Sequence, residues 1–328
     1  MSRTIARRSS WVALLSLVCT GCAVRTAAPD PVPGGWQRRA DPFAYPAGEI
    51  AFELQAMADE QPEFATWSLT YPSADTTDPK NATSHAVLRY PRAGSDALVV
   101  VLPILGGDYS ETDWFGKGLA EQGIATLRFD RKTDVLDPRG DFELAGRRIR
   151  DSVIDVRRGL DLLAKGSPAA RQPMQFSHIG LLGISMGSMI GNLIAAYDPR
   201  IQATALVLTG GEFAHVLESA RGEVEVRDFL EGLESRGYDH DRLRREAHWY
   251  LDPVDPMAHA GSLDPATTLI VQGRFDPIIP FEVGTRLWEA AHRPERVVLP
   301  SGHYSAVLFL PYIESLLEDH FRKHLLPS

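Results

Sequence analysis

Ser185, Asp276 and His303 are three side chains of this sequence whose chemistry fits together. A serine hydroxyl is a poor nucleophile until a neighbouring base takes its proton, and an imidazole does this best when a carboxylate orients it and stabilises its cation. Ser185 lies in Gly183-Ile184-Ser185-Met186-Gly187, directly after the apolar run Ile179-Gly180-Leu181-Leu182 and directly before a helix-like stretch at 188–196. The pattern predicts a strand, a sharp turn and a helix. Gly183 and Gly187 let the flanking backbones pass without a clash, and the serine stands proud of the sheet. Such a pentapeptide is weak on its own and gains weight from its context. An apolar strand at 268–271 runs into 273–280, which carries Asp276, and a second strand at 296–299 ends at Pro300-Ser301-Gly302-His303. Acid and base thus each follow the C-terminal end of a strand, the edge at which parallel α/β sheets build their sites.

From about residue 64 to 326 the sequence resembles the α/β-hydrolase superfamily, whose chain order of nucleophile, acid and histidine is matched by Ser185, Asp276 and His303. The resemblance implies that Ser185 is the nucleophile, His303 the general base and then acid, and Asp276 the group that orients His303. An oxyanion hole also needs two donors. One is the backbone N–H of Met186. The other comes from Pro103-Ile104-Leu105-Gly106-Gly107, where many members carry His-Gly in place of Pro103-Ile104. That departure leaves Ile104 and Leu105 as candidates, and position relative to the double glycine selects Leu105. The implied fold is α/β, a mostly parallel eight-stranded sheet flanked by helices with a small helical lid after the sixth strand. The implied activity is cleavage of a small-molecule carboxylic ester through an acyl-enzyme, with no metal or organic cofactor. Peptidase or thioesterase action, or a catalytically silent binding protein of the cell envelope, are the alternatives.

Periodicity supplies the elements that would position these residues. Strands are predicted at 64–71, 84–90, 97–102, 124–130 and 201–209, with a helix near 112–122. A longer helix over 143–165 has Ile149, Val153, Val156, Leu160 and Leu163 at helical spacing. Strand and helix alternation of this kind builds a parallel sheet covered on both faces. Short amphipathic helices at 213–220, 225–236 and 241–250 then interrupt the pattern, and the insertion at about 212–262 is read as the lid over the site.

Composition fits one large folded unit, residues 49–328: 328 residues in total with 44% apolar and 23% charged. A formal charge of −9 with scattered basic residues argues against nucleic acid as a partner. At the N-terminus, Arg3, Arg7 and Arg8 precede an apolar stretch at 11–18, too short for a membrane span and laid out as an export signal. Thr20-Gly21-Cys22 follows, and the whole resembles a bacterial lipoprotein signal over residues 1–21. That resemblance implies a lipid on Cys22 and a place in the cell envelope, with secretion after cleavage near Ala28 as the alternative. Cys19 stands where such signals usually carry an aliphatic residue. Ala23 after the cysteine favours the outer membrane, facing the periplasm, in a host with two membranes. The chain's 2 cysteines, Cys19 and Cys22, both belong to this segment, so the folded part contains neither a disulfide nor a cysteine nucleophile. Residues 22–48, rich in Pro, Ala and Gly, read as a tether.

Several other residues have readings that need no catalysis. Glu212 follows the sixth predicted strand, where an acid can also stand, but the 273–280 loop is the better match. Asp252 and Asp255 suit turns or helix caps. His248 and His259 read as lid residues. Trp249 and Tyr250 either face the pocket or pack the lid, and Tyr109 and Trp114 either line an acyl pocket or pack beneath a helix. His320 and His324, four apart, lack a third metal ligand and read as a wet surface. Arg147, Arg148 and Arg150 read as a solvated helix face.

Overall fold

The computed structural model describes residues 23–27, 40–46, 48–58, 61–165 and 175–326. Residues 1–21 and Cys22, the expected signal and lipidation site, lie outside the described residues. Ten strands form one sheet among the described residues. In chain order they are β1 Val24–Thr26, β2 Glu53–Ala56, β3 Phe64–Pro72, β4 Thr83–Pro91, β5 Ala97–Leu102, β6 Ala125–Phe129, β7 His178–Ile184, β8 Ile201–Val207, β9 Thr268–Gly273 and β10 Glu295–Leu299. Across the sheet they stand β1-β10-β9-β8-β7-β5-β6-β4-β3-β2.

The sheet corrects the expectation of eight mostly parallel strands. It is mixed: β10, β9, β8, β7, β5 and β6 pair in parallel, while β1 on one edge and β4, β3 and β2 on the other pair antiparallel. The two additional strands are short edge pieces. β1 is exposed along its whole length, and β2 buries Leu54 alone, so neither leaves a hydrophobic period in the sequence. What defines them is pairing with a neighbour.

Alternation along the fully buried β5 divides the core in two. Leu98, Val100 and Leu102 face one layer, with α2 (Phe142–Lys165) and α3 (Met186–Tyr197). Ala97, Val99 and Val101 face the other, with α1 (Ser110–Glu121) and α9 (Leu310–Leu325). The helical insertion after β8 contains α4 (Phe213–Ser219), α5 (Val224–Ser235), α6 (His240–Leu251) and α7 (Pro256–His259), at the place expected for the lid. A last helix, α8 (Phe281–Ala290), joins β9 to β10. No helix among the described residues is long and apolar enough to cross a membrane.

Buried charges tie the antiparallel side to α2. Asp155 of α2 accepts bonds from Lys132 Nζ at 2.5 Å, Ser73 Oγ at 2.8 Å, Ser84 Oγ at 2.5 Å and the Ala74 N–H at 2.6 Å. Arg148, expected on a solvated face, is buried and donates to Asp78 at 2.8 Å. Helical periodicity placed it beside Ile149, and the acidic loop between β3 and β4 supplies the partner that makes its burial tolerable.

The expected tether also needs correction, because two parts of 22–48 are docked. Val24–Thr26 joins the sheet, and the Phe43 ring is fully buried, 5.8 Å from Tyr197 and 5.5 Å from His259 between ring centroids. Tyr45 donates to Asp161 at 2.7 Å, and Arg157 holds the Phe43 carbonyl at 3.1 Å. Averaged composition hides two aromatic rings that have apolar surface to bury. Phe43→Ala should therefore cost roughly 3–5 kcal/mol by urea denaturation, the range for emptying a buried aromatic site. A loss below about 0.5 kcal/mol, the level of ordinary surface changes, would mean the segment is undocked in solution.

Candidate active site

Ser185 sits between β7 and α3 with φ 53° and ψ −121°, a region that non-glycine residues rarely occupy. Its backbone N–H bonds to the Val207 carbonyl at 2.9 Å, and its carbonyl accepts from Ser188 Oγ at 2.6 Å. The crossing explains both glycines. A Cβ on Gly183 would overlap the backbone of Gly187 and Ser188, and one on Gly187 would overlap the carbonyls of Leu102 and Pro103. Chain geometry thus forces the serine outward at the sheet's C-terminal edge.

Asp276 and His303 come to the same edge on two loops bonded to each other. Arg274 N–H reaches the Leu299 carbonyl at 2.8 Å and Phe275 N–H the Ser301 carbonyl at 2.9 Å. Asp276 is buried, with Oδ1 accepting the N–H groups of Ile278 and Ile279, each at 2.9 Å. Its Oδ2 lies 2.7 Å from His303 Nδ1. A carboxylate only accepts, so Nδ1 carries the proton and Nε2 is left to accept from Ser185 Oγ at 3.0 Å. The three expected residues therefore form one hydrogen-bonded chain. Such a chain can deprotonate Ser185 during attack on an electrophilic carbon and hold the resulting imidazolium.

Glu212 takes no part in it. At φ 57° it directly precedes α4, and its carboxylate forms a two-pronged ion pair with Arg286 at 2.6 and 2.7 Å, which holds its pKa below the usual carboxylate value. Asp255 caps α7 and also binds the N–H groups of Glu212 and Phe213, as a turn residue should.

Ser185 opens into a pocket of 590 Å³ whose lining includes Leu105, Ile104, Met186, Phe115, Met189 and Phe213. Met186 is the first residue of α3, so its N–H has no acceptor within the helix. The loop bearing Leu105 is held from two sides. Arg131 donates to the Gly107 carbonyl, and the Arg128 guanidinium lies 4.0 Å from the Tyr109 ring centroid while pairing with Asp113 of α1 at 3.0 Å. From the lid, α4 and α5 contribute Val216, Leu217 and Val226 to the lining.

The rim holds residues that the sequence did not single out. Asp108, Glu111, Glu223 and Glu225 border the pocket, and among the described residues no Lys or Arg lines it. Glu225 lies over Gly106 so closely that a Cβ there would overlap its carboxylate. Tyr304, next to His303, donates its hydroxyl to Glu223 at the start of α5, and this bond, with partial desolvation of the hydroxyl and the nearby acidic charge, pushes its pKa up to about 12. Adjacency to His303 was the signal available for Tyr304. Glu223 and Glu225 had none, because only folding brings the lid to the rim.

The other residues weighed in the sequence stand apart from Ser185. Trp249 is exposed, and neither it nor Tyr250 lines the Ser185 pocket. Tyr109 and Trp114 are absent from that lining as well, with Trp114 exposed. His259 is buried against Tyr197, its Nδ1 2.7 Å from the phenol oxygen. His320 is buried rather than wet, and burial pushes its pKa down to about 3. Among the described residues no group of three or more His, Cys, Asp or Glu side chains is placed to hold a metal.

Comparison with known proteins gives a consistent picture. No protein-family model matches the chain. It is 30% identical over 178 residues to rhodomycin D methylesterase of Streptomyces sp. (strain C5), covering 48% of this chain and 56% of that protein. An uncharacterized Mycobacterium tuberculosis protein is 30% identical over 158 residues, 46% of this chain and 33% of its own length. The chain thus spans about half, or less, of the relatives it matches. Among solved structures, an acetyl xylan esterase of Thermoanaerobacterium sp. superposes with a TM-score of 0.64 at 14% identity, covering 84% of this chain and 89% of that one. An acetyl xylan esterase of Paenibacillus sp. R4 does so with a TM-score of 0.64 at 18% identity, covering 85% and 90%. The fold is α/β-hydrolase-like.

Asp276→Asn tests the site's electrostatics. Its amide oxygen would keep the two backbone N–H bonds, turning the NH₂ toward Nδ1 and forcing His303 into the wrong tautomer. Turnover of a chromogenic ester should fall by about 10³- to 10⁴-fold with the fold intact. Glu212→Gln should stay near the wild-type rate; a larger loss there than at Asp276 would move the acid to Glu212.

Proposed function

We propose that this chain is a serine hydrolase that cleaves a carboxylic ester through an acyl-enzyme. The observation that carries the reading is the continuous hydrogen bonding from Asp276 through His303 to Ser185 at the wall of a mainly apolar pocket. Ser185 Oγ attacks the ester carbon as His303 Nε2 takes its proton. The oxyanion is held by the N–H groups of Met186 and Leu105, and His303 then passes the proton to the leaving alkoxide. Water repeats the sequence on the acyl-enzyme, and Asp276 stabilises the imidazolium in both halves. The esterases among the structural neighbours and the methylesterase relative support ester over amide substrates. An apolar lining with four acidic side chains at its border favours neutral or cationic esters, because a substrate carboxylate would meet like charge there.

We also propose that the protein is exported and anchored in the envelope by a lipid on Cys22. The charged start, the short apolar run and the Gly21-Cys22 pair support this. Each buried lipid methylene contributes about 0.8 kcal/mol, so several chains on one cysteine hold firmly.

Ser185→Ala should abolish fluorophosphonate labelling and lower ester turnover by on the order of a thousandfold or more, with an unchanged melting temperature. Labelling that persists in the folded variant would remove Ser185 from the mechanism, and a wild type that neither labels nor turns over esters would indicate a silent binding protein.

For the anchor, wild type should fractionate with membranes and carry a lipid on its N-terminal cysteine by mass, while Cys22→Ser should do neither. A soluble, unlipidated wild type in a lipidating host would end the anchoring proposal and leave the hydrolase proposal standing.

A further inference from the structure

Four large apolar side chains stand exposed beside the catalytic loops: Phe275 at 69%, Tyr304 at 68%, Val307 at 53% and Leu308 at 59%. Phe275 directly precedes Asp276, and Tyr304 directly follows His303. Val307 and Leu308 belong to the same short 3-10 turn as Tyr304. The Phe275 N–H bond to the Ser301 carbonyl joins the two loops, so the four residues belong to one loop cluster. Single apolar residues scattered on a surface need no explanation, but a cluster of which Tyr304 and Val307 line the Ser185 pocket marks an interaction surface.

The register of β1 says what covers it. Val24 pairs with Val298 and Thr26 with Arg296, antiparallel, so the chain upstream of Val24 runs toward the C-terminal end of β10, where the His303 loop begins. Ala23 packs against the cluster that contains Leu299, Ala306 and Phe309. Cys22 lies outside the described residues, yet adjoining Cα atoms are only about 3.8 Å apart. A lipid on Cys22 would therefore be attached one residue before the point where the described chain enters β1 from the C-terminal side of β10. The stretch expected as a spacer lies after this first docking point, so it adds no distance between anchor and sheet.

We propose that the surface covering this patch is a lipid bilayer: the anchored protein rests with its pocket mouth against the membrane, through Phe275, Tyr304, Val307 and Leu308, and draws amphiphilic esters from it. This deepens the two readings above and rests on them both. The anchor fixes the partner, because its short reach to the catalytic edge holds that edge at the surface in which the lipid is inserted. With acidic side chains bordering the pocket, docking depends on apolar insertion and suits zwitterionic headgroups rather than anionic ones.

The test uses the lipidated full chain in phosphatidylcholine vesicles. A fluorescent probe on Leu308→Cys should be quenched by chain-brominated phosphatidylcholine, and one on Glu121→Cys, just before β6 on the opposite edge of the sheet, should not. Equal responses, or quenching at neither position, would overturn the orientation. The double variant Phe275→Ser/Leu308→Ser should keep its rate on a water-soluble short-chain ester within about twofold and lose about tenfold on a long-chain ester dissolved in the vesicles. Wild-type turnover of the membrane ester by this variant would overturn the substrate route. Concentration-dependent dimers of Cys22→Ser that the double variant abolishes would assign the patch to a second copy instead. An N-terminus without lipid by mass would defeat the anchoring reading and this orientation with it. Absence of turnover on either ester would defeat the hydrolase reading, while the quenching pattern would still decide the orientation.

Discussion

At Ser185 a strand, a sharp turn and a helix meet within three residues. A residue with a side chain is held at φ 53° where β7 gives way to α3, a conformation that costs on the order of 1–3 kcal/mol and persists only where its surroundings determine it. Those surroundings are the close backbone passages at Gly183 and Gly187, the bond from Ser185 N–H to β8 and the Ser188 cap. The strained geometry exposes the hydroxyl and at the same time brings the first N–H of α3 beside it. The positions of the hydroxyl and of the N–H next to it thus follow from one local feature.

Asp276 and His303 meet this turn through a different kind of order. Their loops extend β9 and β10 and are bonded to one another before either reaches Ser185. Two backbone N–H groups fix one oxygen of Asp276, so the other faces His303 without conformational choice. Glu212 shows how much depends on such placement. A carboxylate close behind β8 is neutralised by Arg286 and faces a lid cavity lined by His215, Leu217 and Leu243, away from the histidine. Chemical type is shared by both residues, and geometry separates them.

Around this centre the lid supplies apolar lining and an acidic border, and the hydroxyl of Tyr304 links that border to the loop of the base. The network on Asp155 holds β3, β4 and α2 as one body, while Arg128 and Arg131 steady the loop that carries Leu105. Buried charges are costly unless paired, so these clusters are restrictive: each allows few arrangements of the segments it joins.

Features that are local or periodic were legible in the amino-acid sequence. The Gly-Ile-Ser-Met-Gly turn, the apolar runs of the parallel strands and the stripe along α2 are consequences of steric limits and side-chain period, which act over a few residues. The Asp276 loop and His303 were legible because each closes such a run. Tertiary structure decided what depends on a distant partner. β1 and β2 exist through edge pairing, Phe43 is buried because Tyr197 and His259 form a place for it, and Arg148 and His320 are enclosed by segments far along the chain. Glu223 and Glu225 reach the pocket only because the lid folds across it. Pairing and burial are properties of neighbours in space, and neighbours in space are what a linear pattern leaves unspecified.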